Sequence, residues 1–66
     1  MSPTDFRAAL SRLGLKQIQA ARLLATVPNT VSKYANGRQP IPALAQRLLD
    51  ACERHPDLVP LLLAWE

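Results

Sequence analysis

Side chains suited to acid, base or metal chemistry are few in this 66-residue sequence, which has one histidine, one cysteine and five carboxylates. Cys52 and His55 lie three residues apart, a spacing that places two metal ligands on one face of a helix. A structural zinc site needs four ligands, however, and the sequence offers no second pair. Cys52 is expected in the core instead, and His55 near the last carbonyls of a helix. We therefore expect no enzymatic activity, no metal and no cofactor.

Side chains suited to binding a polyanion are more numerous. Between Phe6 and Leu49 the sequence contains seven basic residues and no acid. They are Arg7, Arg12, Lys16, Arg22, Lys33, Arg38 and Arg47. Residues 1–49 carry a formal charge of +6, because only Asp5 opposes these seven, whereas residues 50–66 carry −3, from four acids against Arg54. A stretch of this length without an acid favours a nucleic-acid partner over an evenly solvated surface.

Helices must position these side chains, since Ala, Leu, Arg and Gln dominate the composition and all four favour helix. Ser2, Pro3 and Asp5 predict the start of a first helix, as N-cap, first helical residue and capping-box partner. The apolar spacing carries this helix to about Leu13, and Gly14 is a natural C-terminal stop.

Four further helices are predicted by periodicity and by the prolines that begin or end them. The second covers about residues 16–24, with Ile18, Ala21 and Leu24 inward. After a tight turn, the third runs from Pro28 to Ala35, with Val31 and Tyr34 on its inner face.

The fourth helix is predicted from Pro42 to near His55, with Leu44, Leu48 and Cys52 on one face and Leu49 adjoining it. The proline that follows ends it, and a short fifth helix covers about residues 57–65. The fold class is therefore all-α, with one domain over residues 1–66. A lone cysteine, the lack of a signal-peptide pattern and the lack of a long apolar run favour a cytoplasmic protein without a membrane partner.

The second and third predicted helices are separated by only about three residues, which is typical of a helix-turn-helix unit. Six residues at and around this unit match a known pattern: Gln17, Ala21, Ala25, Val31, Tyr34 and Gly37. They stand where the lambda repressor and Cro (XRE-type) family places Gln, Ala, Gly, Val, an aromatic residue and Gly. The resemblance covers most of residues 4–52. Within the family the chain resembles the very small regulators of phages and mobile elements, including autorepressors of anti-CRISPR operons.

The resemblance implies a compact five-helix, lambda-repressor-like domain with the helix-turn-helix at about residues 16–36. It also implies a homodimer that binds an inverted repeat in double-stranded DNA and represses transcription. By position in the motif, the candidates for reading base edges are Val27, Pro28, Asn29, Ser32 and Lys33. The candidates for contacting DNA phosphates are Gln17, Thr30, Asn36, Arg38 and Gln39.

The chain departs from the family where the turn and the helix starts are built. Ala25 replaces the turn glycine, and a left-handed backbone would be strained there, so a differently built turn is expected. Lys16 and Val27 occupy positions where the family prefers Ser or Thr caps. Thr26 is a candidate to cap the third helix one residue early.

The C-terminal segment is predicted to form the dimer. Six large apolar side chains crowd into eight residues there, too many for the inward half of one short helix. They are Leu58, Val59, Leu61, Leu62, Leu63 and Trp65. A second copy would cover those left in water, although packing of all six within the monomer is the alternative.

Two other functions are weighed against DNA-binding repression. One is an antitoxin-type module that grips a protein partner and also binds its own promoter, although no toxin-binding extension is expected after the fifth helix. The other is an effector-sensing repressor, which a single short domain disfavours because it leaves no second domain for a ligand pocket.

Overall fold

The computed structural model describes residues 1–65. Its first helix begins where the sequence predicts. In α1 (Pro3–Arg12), the Ser2 Oγ accepts the Asp5 amide at 3.0 Å, and Asp5 Oδ2 accepts the Ser2 amide at 3.3 Å. The hydrogen bonds from the Ser2 backbone and hydroxyl lower the pKa of the Asp5 carboxyl. This capping box therefore holds at neutral pH and weakens as the pH falls through that lowered pKa.

Four more α-helices follow, and the described residues contain no strand, so the all-α, five-helix prediction is confirmed. They are α2 (Gln17–Leu23), α3 (Pro28–Ala35), α4 (Ala43–Arg54) and α5 (Leu58–Leu63). The bounds of α3 are those predicted, whereas α5 is shorter than the predicted 57–65. None of the helices described is long and apolar enough to cross a lipid bilayer.

The core forms where α1 packs against α3 and α4. Phe6, Val31, Leu49 and Cys52 are completely buried there. The ring of Tyr34 meets that of Phe6 edge to face, with centroids 5.7 Å apart and planes at 78°. This geometry places the positive edge of one ring against the negative face of the other and fixes α3 on α1.

The inward face of α2 differs from the predicted one. Ile18, expected inside, is 73% exposed, whereas Ala20, Ala21 and Leu23 are buried and Leu24 is half-buried. The helix packs against both α3 and α5. Two successive alanines allow this close approach because they add little bulk between the helices.

The inward face of α4 is also rotated from the predicted one. Leu44 is 76% exposed, and the buried side chains are those of Ala45, Leu49 and Cys52, with Leu48 half-buried. Positions 44, 48 and 52 share a helical stripe as well as positions 45, 49 and 52 do. Packing on α1 selects the second stripe, at the cost of leaving a leucine in water.

Helices α1, α2 and α3 end in the same hydrogen-bonded motif. After α1 the amide of Gly14 donates to the Ser11 carbonyl at 3.1 Å, and that of Leu15 to the Leu10 carbonyl at 2.9 Å. This 5→2 and 6→1 pair is a Schellman motif, which requires a left-handed residue after the C-cap. Gly14 and Gly37 adopt φ values of 69° and 71° at that position.

The α2 ending repeats this motif with alanine in place of glycine. Ala25 has a φ of 55°, its amide donates to the Arg22 carbonyl at 3.2 Å, and the Thr26 amide donates to the Ala21 carbonyl at 2.8 Å. The expectation of a differently built turn is therefore wrong. Thr26 is also not the cap of α3, because Val27 occupies the N-cap position and no side chain caps it.

Ala25→Gly is expected to stabilise the domain by about 0.5–1 kcal/mol. Removing the left-handed alanine stabilises the folded state by about 1–2 kcal/mol. The greater conformational freedom of glycine in the unfolded chain offsets about 0.4–1 kcal/mol of this. Urea denaturation followed by circular dichroism measures the change. Gly14→Ala is the matched control, because a Cβ there meets nothing within 4 Å and only the backbone cost remains. A destabilised Ala25→Gly, or a Gly14→Ala that costs nothing, would contradict this account of the two turns.

Candidate nucleic-acid interface

The outer face of α3 carries most of the predicted base-reading side chains. Val31, Tyr34 and Ala35 are buried, so the opposite face of the helix is turned to solvent. Asn29 and Lys33 lie one turn apart on that face, and both are exposed. Their side chains offer amide and ammonium donors, which are the groups that recognise base edges in the major groove of DNA.

Ser32 and Asn36 form a second pair on α3, and here the structure brings two predicted residues into contact. The Asn36 Nδ2 donates to Ser32 Oγ at 3.3 Å. Ser32 is half-buried and Asn36 is exposed. The serine hydroxyl is thereby oriented, while the carbonyl oxygen of Asn36 stays open to other donors.

The start of α3 is open. Val27 has an extended backbone as N-cap, and its aliphatic side chain cannot accept a hydrogen bond from an amide of the first turn. Its side chain is 57% exposed, next to the exposed ring of Pro28. The helix start therefore presents two apolar groups, suited to a thymine methyl, together with the positive end of the helix dipole.

The segment after α3 is tied to the helix and carries the predicted phosphate contacts Arg38 and Gln39. The Arg38 amide donates to the Lys33 carbonyl at 2.9 Å, which places this residue directly after the last turn. A Cβ at Gly37 would meet Pro3 at 3.1 Å, so α1 closes against the same turn. Both Arg38 and Gln39 are exposed.

The remaining predicted phosphate contacts lie on α2 and α3. Gln17 is the first residue of α2 and is exposed. The neighbouring Lys16 amide donates to Gln19 Oε1 at 2.9 Å, which caps the helix without a Ser or Thr. Thr30 is half-buried in the first turn of α3, where its amide donates to the Val27 carbonyl at 3.0 Å.

The structure divides the basic residues into two groups. Three of the seven in the acid-free stretch are engaged: Arg7 donates to the Ala35 carbonyl, Arg12 pairs with Glu53 at 2.7 Å, and Arg22 donates to the Leu63 carbonyl. Within residues 1–65 the other four make no side-chain hydrogen bond or ion pair. They are Lys16, Lys33, Arg38 and Arg47.

This division shows what the sequence pattern missed. Of the four cations in the second group, only Lys33 and Arg38 were among the predicted DNA contacts. Lys16 and Arg47 add unpaired positive charge that the motif did not single out. Lys16 precedes the predicted contact Gln17 directly, and this adjacency was the available signal.

The predicted dimer segment is split between the core and solvent. Leu58, Leu62 and Leu63 are half-buried against the core, as is Val59. Leu61 and Trp65 are 56% and 69% exposed. The expectation that the monomer cannot cover the whole segment is confirmed for these last two side chains.

Cys52 and His55 lie in different environments, although they are only three residues apart. Burial of Cys52 raises the pKa of its thiol, whereas His55 is exposed at the end of α4. No three His, Cys, Asp or Glu side chains within residues 1–65 cluster as metal ligands.

α3 and the turn after it therefore combine a helix start without a side-chain cap, a polar outer face and two cations. The cations, Lys33 and Arg38, have no side-chain partner among residues 1–65. Such a surface can donate hydrogen bonds and attract anions. No protein-family model, no curated protein and no solved structure matches the chain.

Proposed function

We propose that this chain is a sequence-specific regulator that binds double-stranded DNA as a homodimer and represses transcription from an inverted-repeat operator. In this proposal α2 and α3 form the helix-turn-helix, and α3 enters the major groove. The observation that carries it is the outer face of α3, which is polar and has no side-chain cap at its start. It carries Lys33 and is followed by Arg38, two cations that make no side-chain hydrogen bond or ion pair within residues 1–65. DNA as the target places the protein in the cytoplasm of a bacterial host.

The side chains of α3 divide into those that read bases and those that hold the backbone. Asn29 suits a bidentate contact with adenine, and Lys33 suits the O6 and N7 atoms of guanine. Val27 and Pro28 suit a thymine methyl, and Ser32 adds a hydroxyl. The backbone contacts fix the register of α3 without reading sequence. They are assigned to Gln17, Thr30, Asn36, Arg38 and Gln39.

The size of one copy supports a dimer. Its longest dimension is 29 Å, whereas successive major grooves on one face of DNA lie about 34–36 Å apart. One copy therefore covers one half-site, and a two-fold dimer covers an inverted repeat. The acidic segment 50–66 contains α5, which packs mainly on α2 and α4 and not on α3, the helix proposed to enter the groove. A protein bound over a promoter blocks access of RNA polymerase and thereby represses transcription.

Salt titration of binding to a duplex of random sequence tests the electrostatic part of the proposal. Each phosphate neutralised by a free cation releases counterions, so log K falls with log salt at a slope of about −0.9 per contact. One such contact per copy, from Arg38, predicts a slope of about −0.9 or steeper for each bound copy. Arg38→Gln is expected to make this slope shallower by about one.

Arg54→Gln is the matched control for this titration. Arg54 is already paired with Asp50 at 3.1 Å and lies in the acidic segment, so its loss changes the net charge equally but removes no proposed contact. We expect its salt slope to equal that of the wild type. Equal effects of Arg38→Gln and Arg54→Gln would show that only net charge matters, and the proposed interface would then be wrong.

A further inference from the structure

The large apolar side chains exposed on α5 and just after it are too small a surface to hold a dimer by themselves. A stable interface buries roughly 800 Å² on each partner. A tryptophan buries about 150–250 Å² in full. Trp65 and the smaller Leu61, both already partly covered, supply well under half of what is needed. If α5 contributes to a homodimer, more surface must join it.

Two adjoining hollows extend the apolar surface away from α5. One, of about 220 Å³, lies between Leu62, Trp65 and Arg22. The other, of about 280 Å³, is lined by the end of α2, the turn after it and the start of α4, including Leu44 and Leu48. Leu23 and Ala25 line both hollows, so the two hollows adjoin at these residues, and we call them together the groove.

This groove has an exposed apolar side chain at each end. Leu44 is 76% exposed at the start of α4, and Trp65 is 69% exposed after α5. We call the surface between them the apolar strip. It consists of Leu24, Ala25, Leu44, Leu48, Leu62 and Trp65.

We propose that the apolar strip is the docking surface for a second copy of this chain, so that the dimer is built by the α2–α3 turn and α4 together with α5. This inference rests on the proposed homodimer. A two-fold interface uses the same patch on both copies, so the patch must complement itself. A hollow flanked by two projecting side chains meets that requirement.

Charge also favours a second copy as the occupant. Two copies carrying +3 each repel, and they approach best through a surface with no free charge. Among residues 1–65, the only charged side chain lining either hollow is that of Arg22, which donates a hydrogen bond to the Leu63 carbonyl. The four unpaired cations do not line the groove, which leaves them for DNA.

The test is sedimentation equilibrium of the full chain without DNA, with Leu44→Glu as the variant and Ile18→Glu as its control. Leu44 and Ile18 are each the second residue of their helix and are 76% and 73% exposed, so the two variants differ little except in position. Burying the new carboxylate in an apolar interface is unfavourable. We expect Leu44→Glu to raise the dimer dissociation constant by at least about tenfold, because the new carboxylate loses its water without gaining a partner, and Ile18→Glu to leave it unchanged.

The emission of Trp65, the only tryptophan, reports on the far end of the strip. In the wild type it should shift to longer wavelength on dilution, and in Leu44→Glu this shift should occur at higher concentration. Circular dichroism of each variant checks that the fold is kept, and Leu44→Ala gives the same direction without a new charge.

A wild type that stays monomeric, or a Leu44→Glu variant that dimerises like Ile18→Glu, would overturn the apolar strip. Binding of the wild type to random duplex is measured in parallel. If that binding persists while Leu44→Glu has no effect on dimerisation, the strip is wrong and DNA binding stands. If duplex binding is absent, the proposed function itself fails.

Discussion

Phe6→Ala is expected to remove most of the stability of this domain. The side chain is completely buried and meets Tyr34 edge to face, so truncation empties the contact between α1 and α3. Loss of a buried phenylalanine costs about 3–5 kcal/mol. A domain of this size has only about 3–10 kcal/mol in total, at roughly 0.05–0.15 kcal/mol per residue. Thermal unfolding by circular dichroism should show a melting temperature lower by about 12 °C or more, or no transition at all.

Ile18→Ala is the control for this truncation, since it removes a large apolar side chain that is 73% exposed. Surface substitutions of this kind change stability by no more than about 0.5 kcal/mol. A Phe6→Ala variant that melts within a few degrees of the control would show that the core is not organised around this ring.

Asn29→Ala and Lys33→Ala are expected to change which DNA sequences are preferred, whereas Arg38→Ala is expected to weaken all sequences alike. Asn29 and Lys33 are exposed on the outer face of α3, but Arg38 lies beyond its last turn. Each base contact contributes about 1–3 kcal/mol of discrimination, and its loss should relax the preference at particular positions by about 5- to 150-fold. Binding to a set of single-base operator variants measures the change.

For Arg38→Ala, the same set should give an unchanged rank order with lower affinity throughout, and a salt slope shallower by about one. Three identical profiles would mean that α3 does not face the bases. Loss of preference in Arg38→Ala alone would mean that the turn after α3, and not its outer face, reads the sequence.

The helix starts and ends could be predicted because the groups that make them are close in sequence. Ser2 and Asp5, three residues apart, each accept a hydrogen bond from the other's backbone amide. Pro28 begins α3, and Gly37 follows its C-cap. The faces of α2 and α4 could not be predicted with the same success. Ile18 and Leu44 fit a helical stripe as well as their smaller neighbours do, and only packing against other helices decides which stripe is buried.

The sequence predicted which residue types the candidate site contains. It could not predict which of their side chains lack intramolecular partners. Arg7 reaches a carbonyl 28 residues away, and Arg12 and Arg22 reach partners 41 residues away. No local pattern encodes such contacts, so the acid-free stretch overstated the cations available to a polyanion. At Ala25 a local preference was itself misleading. Alanine disfavours the left-handed conformation, but the hydrogen bonds that end α2 impose it.

Selection of the wild-type protein on a pool of random duplexes is the most direct test of sequence-specific binding as a dimer. The account predicts enrichment of a short inverted repeat whose half-sites are separated by about one helical turn, roughly 34–36 Å. It also predicts that affinity for the enriched repeat exceeds that for random duplex by about 10³-fold or more at physiological salt. Recovery of no common sequence, or of a single half-site bound by one copy, would contradict it.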